Sequence, residues 1–422
     1  MDGSWVALIP PKSFDADVAL PGSKSVANRA LICAALADGM SRIRGFARAD
    51  DSKLLILALR ELGFSIEPAA PSDLVVAGGT VTAAEASLQF GNAGTSFRFA
   101  AAVAALGRGV YTLDGDPRLR ERPMGGLVAA LRTLGAKIDY GGAEGFAPIR
   151  IAASGLGGGR AEVDASASSQ FLSALLLASP AARSPVELVP VGPVSSGGYV
   201  DLTRRVMEAF GVRASGLRVE PGRYRAADFT VEPDAASAGY WAAIAAVTGG
   251  RAFVRGVRPD GGQPEAAFLD DLRRMGARVE ARPEGTLVEG GPLKGIDADL
   301  NGRPDSVPAL AVTALFAEGP TRIRNVAHLR HKESDRLAAL AHELGKLGAR
   351  VAEHRDGLEI EPPSEVNRAE IETHRDHRLA MAFAIAGARV EGILIRDPEC
   401  VSKSYPGFWQ ALAHAGVELR WS

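Results

Sequence analysis

Cysteine is nearly absent from this chain, whose 422 residues carry only Cys33 and Cys400. Two cysteines build neither a disulfide framework nor a cysteine-based zinc site, so a reduced compartment is expected. Histidine is sparse and scattered. His374 and His377 stand at i and i+3, but no HExxH or comparable motif surrounds them, and neither metal nor cofactor is expected. An excess of one charge is lacking too: 48 Lys and Arg face 50 Asp and Glu, a net charge of −2. A nucleic-acid binder ordinarily carries a basic excess or stripe, so nucleic acid is not an expected partner and any cationic site must be local. Long apolar runs are also missing. Stretches such as Ala100–Leu106 and Ala242–Val247 fall far short of the ~20 residues of a membrane span. Met1-Asp2-Gly3-Ser4-Trp5 does not show the basic segment and apolar run of a secretory signal. The expectation is a cytoplasmic protein without a membrane partner.

What is present is ordinary in bulk, with 46% hydrophobic and 23% charged residues, as in soluble globular proteins. The length exceeds one ordinary core and suggests about two or three domains. A weak internal repeat sharpens this. Each unit opens on a Gly/Ser/Asp-rich turn and runs into an Ala/Leu-rich helix and a short β-like run. A more polar helix then ends at Gly, and a strand follows. The first helices are predicted at Ser25–Ala37, Gly94–Leu106, Ser169–Ala178, Ala236–Val247, Val307–Ala317 and Arg378–Ala386. The second helices end at Gly63, Gly135, Gly211, Gly276, Gly348 and Gly416, each suited to a left-handed C-cap. These glycines lie 65 to 76 residues apart. β-like runs follow, among them Phe64–Ile66, Lys137–Tyr140, Arg278–Glu280 and Arg350–Ala352.

The first helix of each unit is almost wholly apolar and should be buried all round, whereas the amphipathic second helix faces solvent. Helices inside and sheets outside follow, with three units per domain. The boundary is expected near Pro233-Asp234, giving domains 22–233 and 1–21 plus 234–422. The strand Trp5–Ile9 is left over at the start and is expected to return to the second domain.

Each unit opening feeds a helix N-terminus, a place that attracts anions. The openings carry Gly22-Ser23-Lys24-Ser25 with Arg29, Gly91-Asn92-Ala93-Gly94-Thr95-Ser96 with Arg98, and Ser166-Ala167-Ser168-Ser169-Gln170. Later openings carry Asp305-Ser306 and Asp376-His377-Arg378. Singly, each is most simply an N-cap. Together they converge on an anionic ligand. A P-loop is excluded, because Ser23 and Val18 stand where it needs Gly, and no GxGxxG follows a strand. In His331-Lys332-Glu333-Ser334-Asp335-Arg336, a helix running to Leu347 would put Lys332, Glu333 and Arg336 on one face. Taken alone, that is a solvated helix start with an ion pair of little worth. Further cations are Arg118, Arg120, Arg122, Arg378 and Lys403, and Arg suits bidentate contact with carboxylate and phosphate.

Seven strings in order carry a resemblance. They are Leu20-Pro21-Gly22-Ser23-Lys24-Ser25, Gly91-Asn92-Ala93-Gly94-Thr95, Arg120-Glu121-Arg122-Pro123, Ser168-Ser169-Gln170-Phe171, Lys332-Glu333-Ser334-Asp335-Arg336, Asp376-His377-Arg378 and Lys403-Ser404-Tyr405-Pro406. On these the chain resembles the 5-enolpyruvylshikimate-3-phosphate synthase family of enolpyruvyl transferases. The resemblance implies an α/β fold of two inside-out, barrel-like domains, each of three βαβαββ units with buried helices and outer sheets. It implies transfer of the enolpyruvyl group of phosphoenolpyruvate to the 5-hydroxyl of shikimate 3-phosphate, with release of phosphate through a tetrahedral ketal, in chorismate and aromatic amino-acid biosynthesis. The expected partners are these two small molecules, bound by a monomer in a cleft between the domains.

By the same resemblance, Asp305 and Glu333 are the acid/base pair, Asp305 taking the hydroxyl proton and Glu333 serving the enol methylene. Lys24, Asn92, Gly94, Arg122, Gln170, Arg336, Arg378 and Lys403 are implied contacts of phosphoenolpyruvate. Lys24, Ser25, Arg29, Ser168, Ser169, Gln170, Ser196, Asp305, His328 and Lys332 are implied contacts of shikimate 3-phosphate, mainly on the first domain. Gly94 further implies sensitivity to glyphosate. There are departures. His328 stands where relatives often have Asn, Ser195-Ser196-Gly197-Gly198-Tyr199 replaces a Ser-Lys-Pro-Tyr-like string, and Phe99 stands in place of Pro.

The nearest alternative is the UDP-N-acetylglucosamine enolpyruvyl transferase, which usually carries a reactive Cys; Gly107–Pro123 has none. A non-catalytic anion-binding relative is opposed by the intact Asp305, Lys332, Glu333 and Lys403. An RNA-end-processing relative finds no support in the charge balance.

Overall fold

A computed structural model describes residues 4–422; Met1, Asp2 and Gly3, part of the N-terminal reading above, lie outside the described residues. The chain forms two compact units: an inserted unit, Gly22–Glu232, and a host unit, Met1–Pro21 with Pro233–Ser422.

In the inserted unit, the apolar helices Lys24–Ala35, Gly94–Ala104 and Gln170–Ala178 pack against one another at the centre of one hydrophobic core. Apart from a few polar residues in their first two turns these helices are apolar, and almost every residue is buried. The amphipathic helices Asp50–Glu61, Gly125–Thr133 and Gly198–Ala209 lie outside them. The surrounding strands alternate buried and exposed residues, as in Glu85–Gln89, so one sheet face closes the core and the other meets water. The host unit repeats the plan. Helices Ala235–Thr248, Val307–Thr313 and His377–Gly387 form its centre, and a second core surrounds them. The helix expected over Val307–Ala317 ends at Thr313 and tightens into a 3₁₀ turn, Ala314–Phe316.

All six helix-ending glycines have positive φ, between 83° and 119°. Five follow the C-cap residue and Gly276 is itself the C-cap. A side chain in this conformation would be strained, so the repeat of Gly in the sequence is a repeat of chain reversals.

The second unit in sequence shows the βαβαββ plan in full. Glu85–Gln89 pairs in parallel with Arg108–Asp114, which is joined antiparallel by Ile149–Ser154 and then Lys137–Tyr140. In the first and fourth units the entering strand comes from far away. Asp228–Thr230 pairs with Met40–Arg44 and opens the first unit, while Asp15–Val18 pairs with Arg251–Arg255 and opens the fourth. The sixth unit borrows its remaining strand: Trp5–Ile9 lies between Ile393–Arg396 and Glu418–Trp421, antiparallel to both. The third unit keeps only a three-stranded sheet, its closing strand reduced to Arg218–Val219. The plan of six sequential units therefore holds in space, with three strands supplied by distant parts of the chain.

Candidate active site

The simple N-cap reading fits two of the six openings. Asp234 and Asp376 accept from Ser237 N and Arg378 N. At Ser23, Ala93, Ser169 and Ser306 no side chain caps the helix. Apart from Gln170 N, which donates to Ser168 Oγ, no side chain is seen taking the first backbone N–H groups there, and such groups are what an anion uses.

In the inserted unit, Lys24 is the first residue of its helix, and its Nζ lies 2.8 Å from Asp51 Oδ2 on the next helix. Ser25 is half-buried on the same turn. Arg29, one turn on, is buried between the rings of Phe99 and Tyr199. Its guanidinium donates to Thr203 Oγ1 at 2.7 Å, Ser173 Oγ at 3.2 Å, and the carbonyls of Ser25 and Tyr199. Phe99, the departure from Pro, thus supports Arg29.

Arg122 is buried against the second opening, where Nη1 donates to Asn92 O at 3.1 Å and to Asn92 Oδ1 at 3.2 Å. A Cβ on Gly94 would lie 2.6 Å from Arg122 Cζ, so only Gly leaves the guanidinium in place. At the third opening, Gln170 Oε1 accepts from Arg98 Nη1 at 2.6 Å, and Gln170 N donates to Ser168 Oγ at 3.2 Å. Ser168, Ser169 and Ser196 are buried, and Ser196 adopts a left-handed φ of 59°.

In the host unit the charges interlock more tightly. Asp305 sits in the 3₁₀ turn Pro304–Ser306 before its helix. Its Oδ1 accepts from Arg336 Nη1 at 3.0 Å and its Oδ2 from Arg378 Nη2 at 2.5 Å. Glu333 Oε2 accepts from Arg336 Nη2 at 2.9 Å. Arg336, 1% exposed, turns its remaining edge to Asp376, with Nε 2.7 Å from Oδ2. Asp376 is fully buried; it accepts from Ser334 Oγ at 3.1 Å and caps the helix that begins His377-Arg378.

Burial pushes the Asp305 carboxyl up, but the guanidiniums of Arg378 and Arg336 and the ammonium of Lys332 outweigh it and hold it well below the usual carboxylate range. Burial also works against the charge of Arg336, and Asp376, Glu333 and Asp305 overcome it. His328 is buried, and burial first, then the charge of Lys332, push its imidazole down to about 3. It is neutral at ordinary pH. Tyr240, whose hydroxyl lies 3.4 Å from Arg378 Nη1, is pushed up to about 12 by burial. Lys403 is half-buried at the end of the turn Pro398–Lys403.

One sequence expectation is corrected. Lys332, Glu333 and Arg336 do not share a helical face, because the helix begins only at Arg336. Asp335 caps it by accepting from Ala338 N, and Lys332 is extended, after the 3₁₀ turn Ala327–His331. A strong N-cap residue set the start, and Glu333 reaches Arg336 from the turn before it. Nor is this a solvated helix start, since Arg336 is among the largest fully buried side chains.

Four residues outside the implied contacts and acid/base pair bond to members of that set: Asp51, Arg98, Tyr240 and Asp376. Asp376 stands in Asp376-His377-Arg378, and its place before a helix is a capping signal. The partners of the other three are 27, 72 and 138 residues away, beyond any local pattern. Among the described residues, no group of three or more His, Cys, Asp or Glu is placed to hold a metal ion, and no helix is long and apolar enough to cross a membrane.

Residues 8–412 match the family model described as EPSP synthase (3-phosphoshikimate 1-carboxyvinyltransferase). The chain belongs to the EPSP synthase family. Members named 3-phosphoshikimate 1-carboxyvinyltransferase include one from Syntrophobacter fumaroxidans, 46% identical over 411 residues, covering 95% of this chain and 97% of the relative. Another, from Vibrio vulnificus, is 42% identical over 424 residues, covering 97% and 98%. A solved EPSP synthase structure from Acinetobacter baumannii superposes with a TM-score of 0.82 at 30% identity, covering 100% of both chains. Family and fold therefore agree with the order of the motifs along the chain.

Proposed function

We propose that the protein is a 3-phosphoshikimate 1-carboxyvinyltransferase, acting in the cytoplasm as a monomer on shikimate 3-phosphate and phosphoenolpyruvate. The observation that carries this reading is the buried guanidinium of Arg336, which holds Asp305 and Glu333 on its two terminal nitrogens. Two carboxyl groups on one guanidinium, with Asp305 held by Arg378 as well, suit a reaction that moves one proton from oxygen and another to carbon.

In the proposed reaction the 5-hydroxyl oxygen bonds to C2 of phosphoenolpyruvate and gives its proton to Asp305. C3 takes a proton from Glu333 and becomes a methyl group. The resulting ketal then loses a proton from C3 back to Glu333, and the C2–O bond to phosphate breaks. Asp305 is a weak base while paired with Arg336 and Arg378. When an anionic substrate takes those guanidiniums, the carboxylate loses counter-charge and its proton affinity rises.

The roles at the openings follow the same chemistry. Arg122, Gln170, Arg336, Arg378 and Lys403, with Gly94 and Asn92 packed against Arg122, receive phosphoenolpyruvate. Ser25, Arg29, Ser168, Ser169, Ser196, His328 and Lys332 serve shikimate 3-phosphate, and Lys24 serves both. Fixed cations offset the mutual repulsion of two multiply charged anions. The test is phosphate release by the purified protein with both substrates, with the enolpyruvyl ether identified by NMR. Release only with UDP-N-acetylglucosamine as acceptor would falsify the reading.

A further inference from the structure

The segment Glu372–Asp376 is fastened to one helix at both ends. Arg336 and Glu343 stand seven residues apart on the helix Arg336–Lys346, two turns along one face. Arg336 holds Asp376, with Nε 2.7 Å from Oδ2. Glu343, whose side chain is fully buried, holds the other end, its Oε2 accepting from Glu372 N at 3.1 Å and from Lys346 Nζ at 2.7 Å. Its Oε1 receives no hydrogen bond and faces His374 Nε2 at 3.4 Å and His342 Nε2 at 3.9 Å.

Between the two anchors, His374 and Arg375 have φ of 51° and 56°. Two successive non-glycine residues in the left-handed region are strained, and such a pair persists only where its surroundings over-determine it. A buried carboxylate is likewise kept only where it is held by donors and counter-charge. Beyond Lys346 and His342 of its own helix, Glu343 meets Glu372 and His374 of this segment.

We infer that Glu343 is a positioning residue for the anion clamp. By gripping Glu372 and facing His374 it keeps the segment in its strained form. That form sets Asp376 against Arg336 and caps the helix that presents Arg378. The inference rests on the proposed reaction, in which Arg336 and Arg378 receive phosphoenolpyruvate.

Glu343→Ala is compared with Val288→Ala, a core truncation in a sheet of the same unit that serves as the control for lost stability. Misplacing a binding group by about 1 Å costs on the order of tenfold or more. Glu343→Ala should therefore raise the KM for phosphoenolpyruvate about tenfold or more, with the KM for shikimate 3-phosphate within twofold. Glu343→Gln keeps an oxygen for Glu372 N and should recover most of the loss. Hydrogen exchange at Asp376 N and Arg378 N should speed up in Glu343→Ala and not in Val288→Ala. A KM for phosphoenolpyruvate that moves no more than in Val288→Ala, with exchange unchanged, overturns the inference. Wild-type protein without turnover overturns the proposed reaction instead, and the exchange comparison alone then decides the role of Glu343.

Discussion

Gly94→Ala tests the geometry of the second opening. The added Cβ would lie 2.6 Å from Arg122 Cζ and Nη2 and 2.9 Å from Nη1. Carbon atoms rest at roughly 3.5–4 Å, so the guanidinium must retreat by about 1 Å. Its bonds to Asn92, already 3.1 and 3.2 Å long, then stretch beyond useful range. A displaced guanidinium also loses its aim at the substrate, and a hydrogen bond to a charged group is worth about 1.5–3 kcal/mol. That converts to a rise of roughly 10- to 150-fold in the KM for phosphoenolpyruvate. Stability should hardly change, because the clash falls on the end of a flexible side chain. Steady-state phosphate release with phosphoenolpyruvate varied, beside a thermal melt, reads both quantities. A KM within twofold of wild type, or a crystal structure of the variant with Arg122 unmoved, refutes the reasoning.

Glu333→Gln keeps an acceptor for Arg336 but loses the proton, so kcat should fall about 10²- to 10⁴-fold while shikimate 3-phosphate still binds; normal turnover removes Glu333 from the chemistry. Asp376→Ala leaves Arg336 buried without its best partner and should cost about 3–5 kcal/mol in denaturant unfolding, whereas a loss under 1 kcal/mol contradicts the network. His328 is neutral in the folded protein down to about 3, while the unfolded chain takes a proton below about 6.5. The unfolded state binds more protons between these values, so stability falls with pH through that window, by up to about 1.4 kcal/mol per unit. His328→Asn should flatten that slope between pH 6 and 4; an unchanged slope assigns the acid sensitivity elsewhere. Glyphosate, a phosphonate with a carboxylate, should compete with phosphoenolpyruvate, and unchanged turnover at high glyphosate and limiting phosphoenolpyruvate counts against the proposed use of these cations.

The repeating helices were legible because their signals are local and strong. An apolar stretch without a polar face is buried wherever it lies, and a Gly after an amphipathic helix marks a left-handed turn. The strands were legible only in part. Asp228–Thr230 and Asp15–Val18 are three and four residues long, and each pairs in parallel with a strand about 185 or 236 residues away by register. No local rule specifies such a partner. The site shows the same division. Cations at helix openings announced an anion, but the groups that hold them did not. Asp51 reads as an ordinary acidic residue in the first turn of a solvated helix, yet it is buried against Lys24. Lys332–Arg336 read as helix because i,i+3 and i,i+4 spacing fits one, and the competing N-cap at Asp335 was decisive.

The borrowed strands have a consequence for how the chain is made. Glu232 O accepts from Ser23 N at 2.8 Å, so the inserted unit closes on its own ends as soon as residue 232 is available. The host unit has no such early closure. Trp5–Ile9 finds its neighbours only when residues 393–396 and 418–421, far later in the chain, emerge. Until then its apolar residues and both its edges stand unsatisfied, a state prone to mispairing. Vectorial synthesis thus completes the inserted unit well before the host unit that surrounds it in sequence.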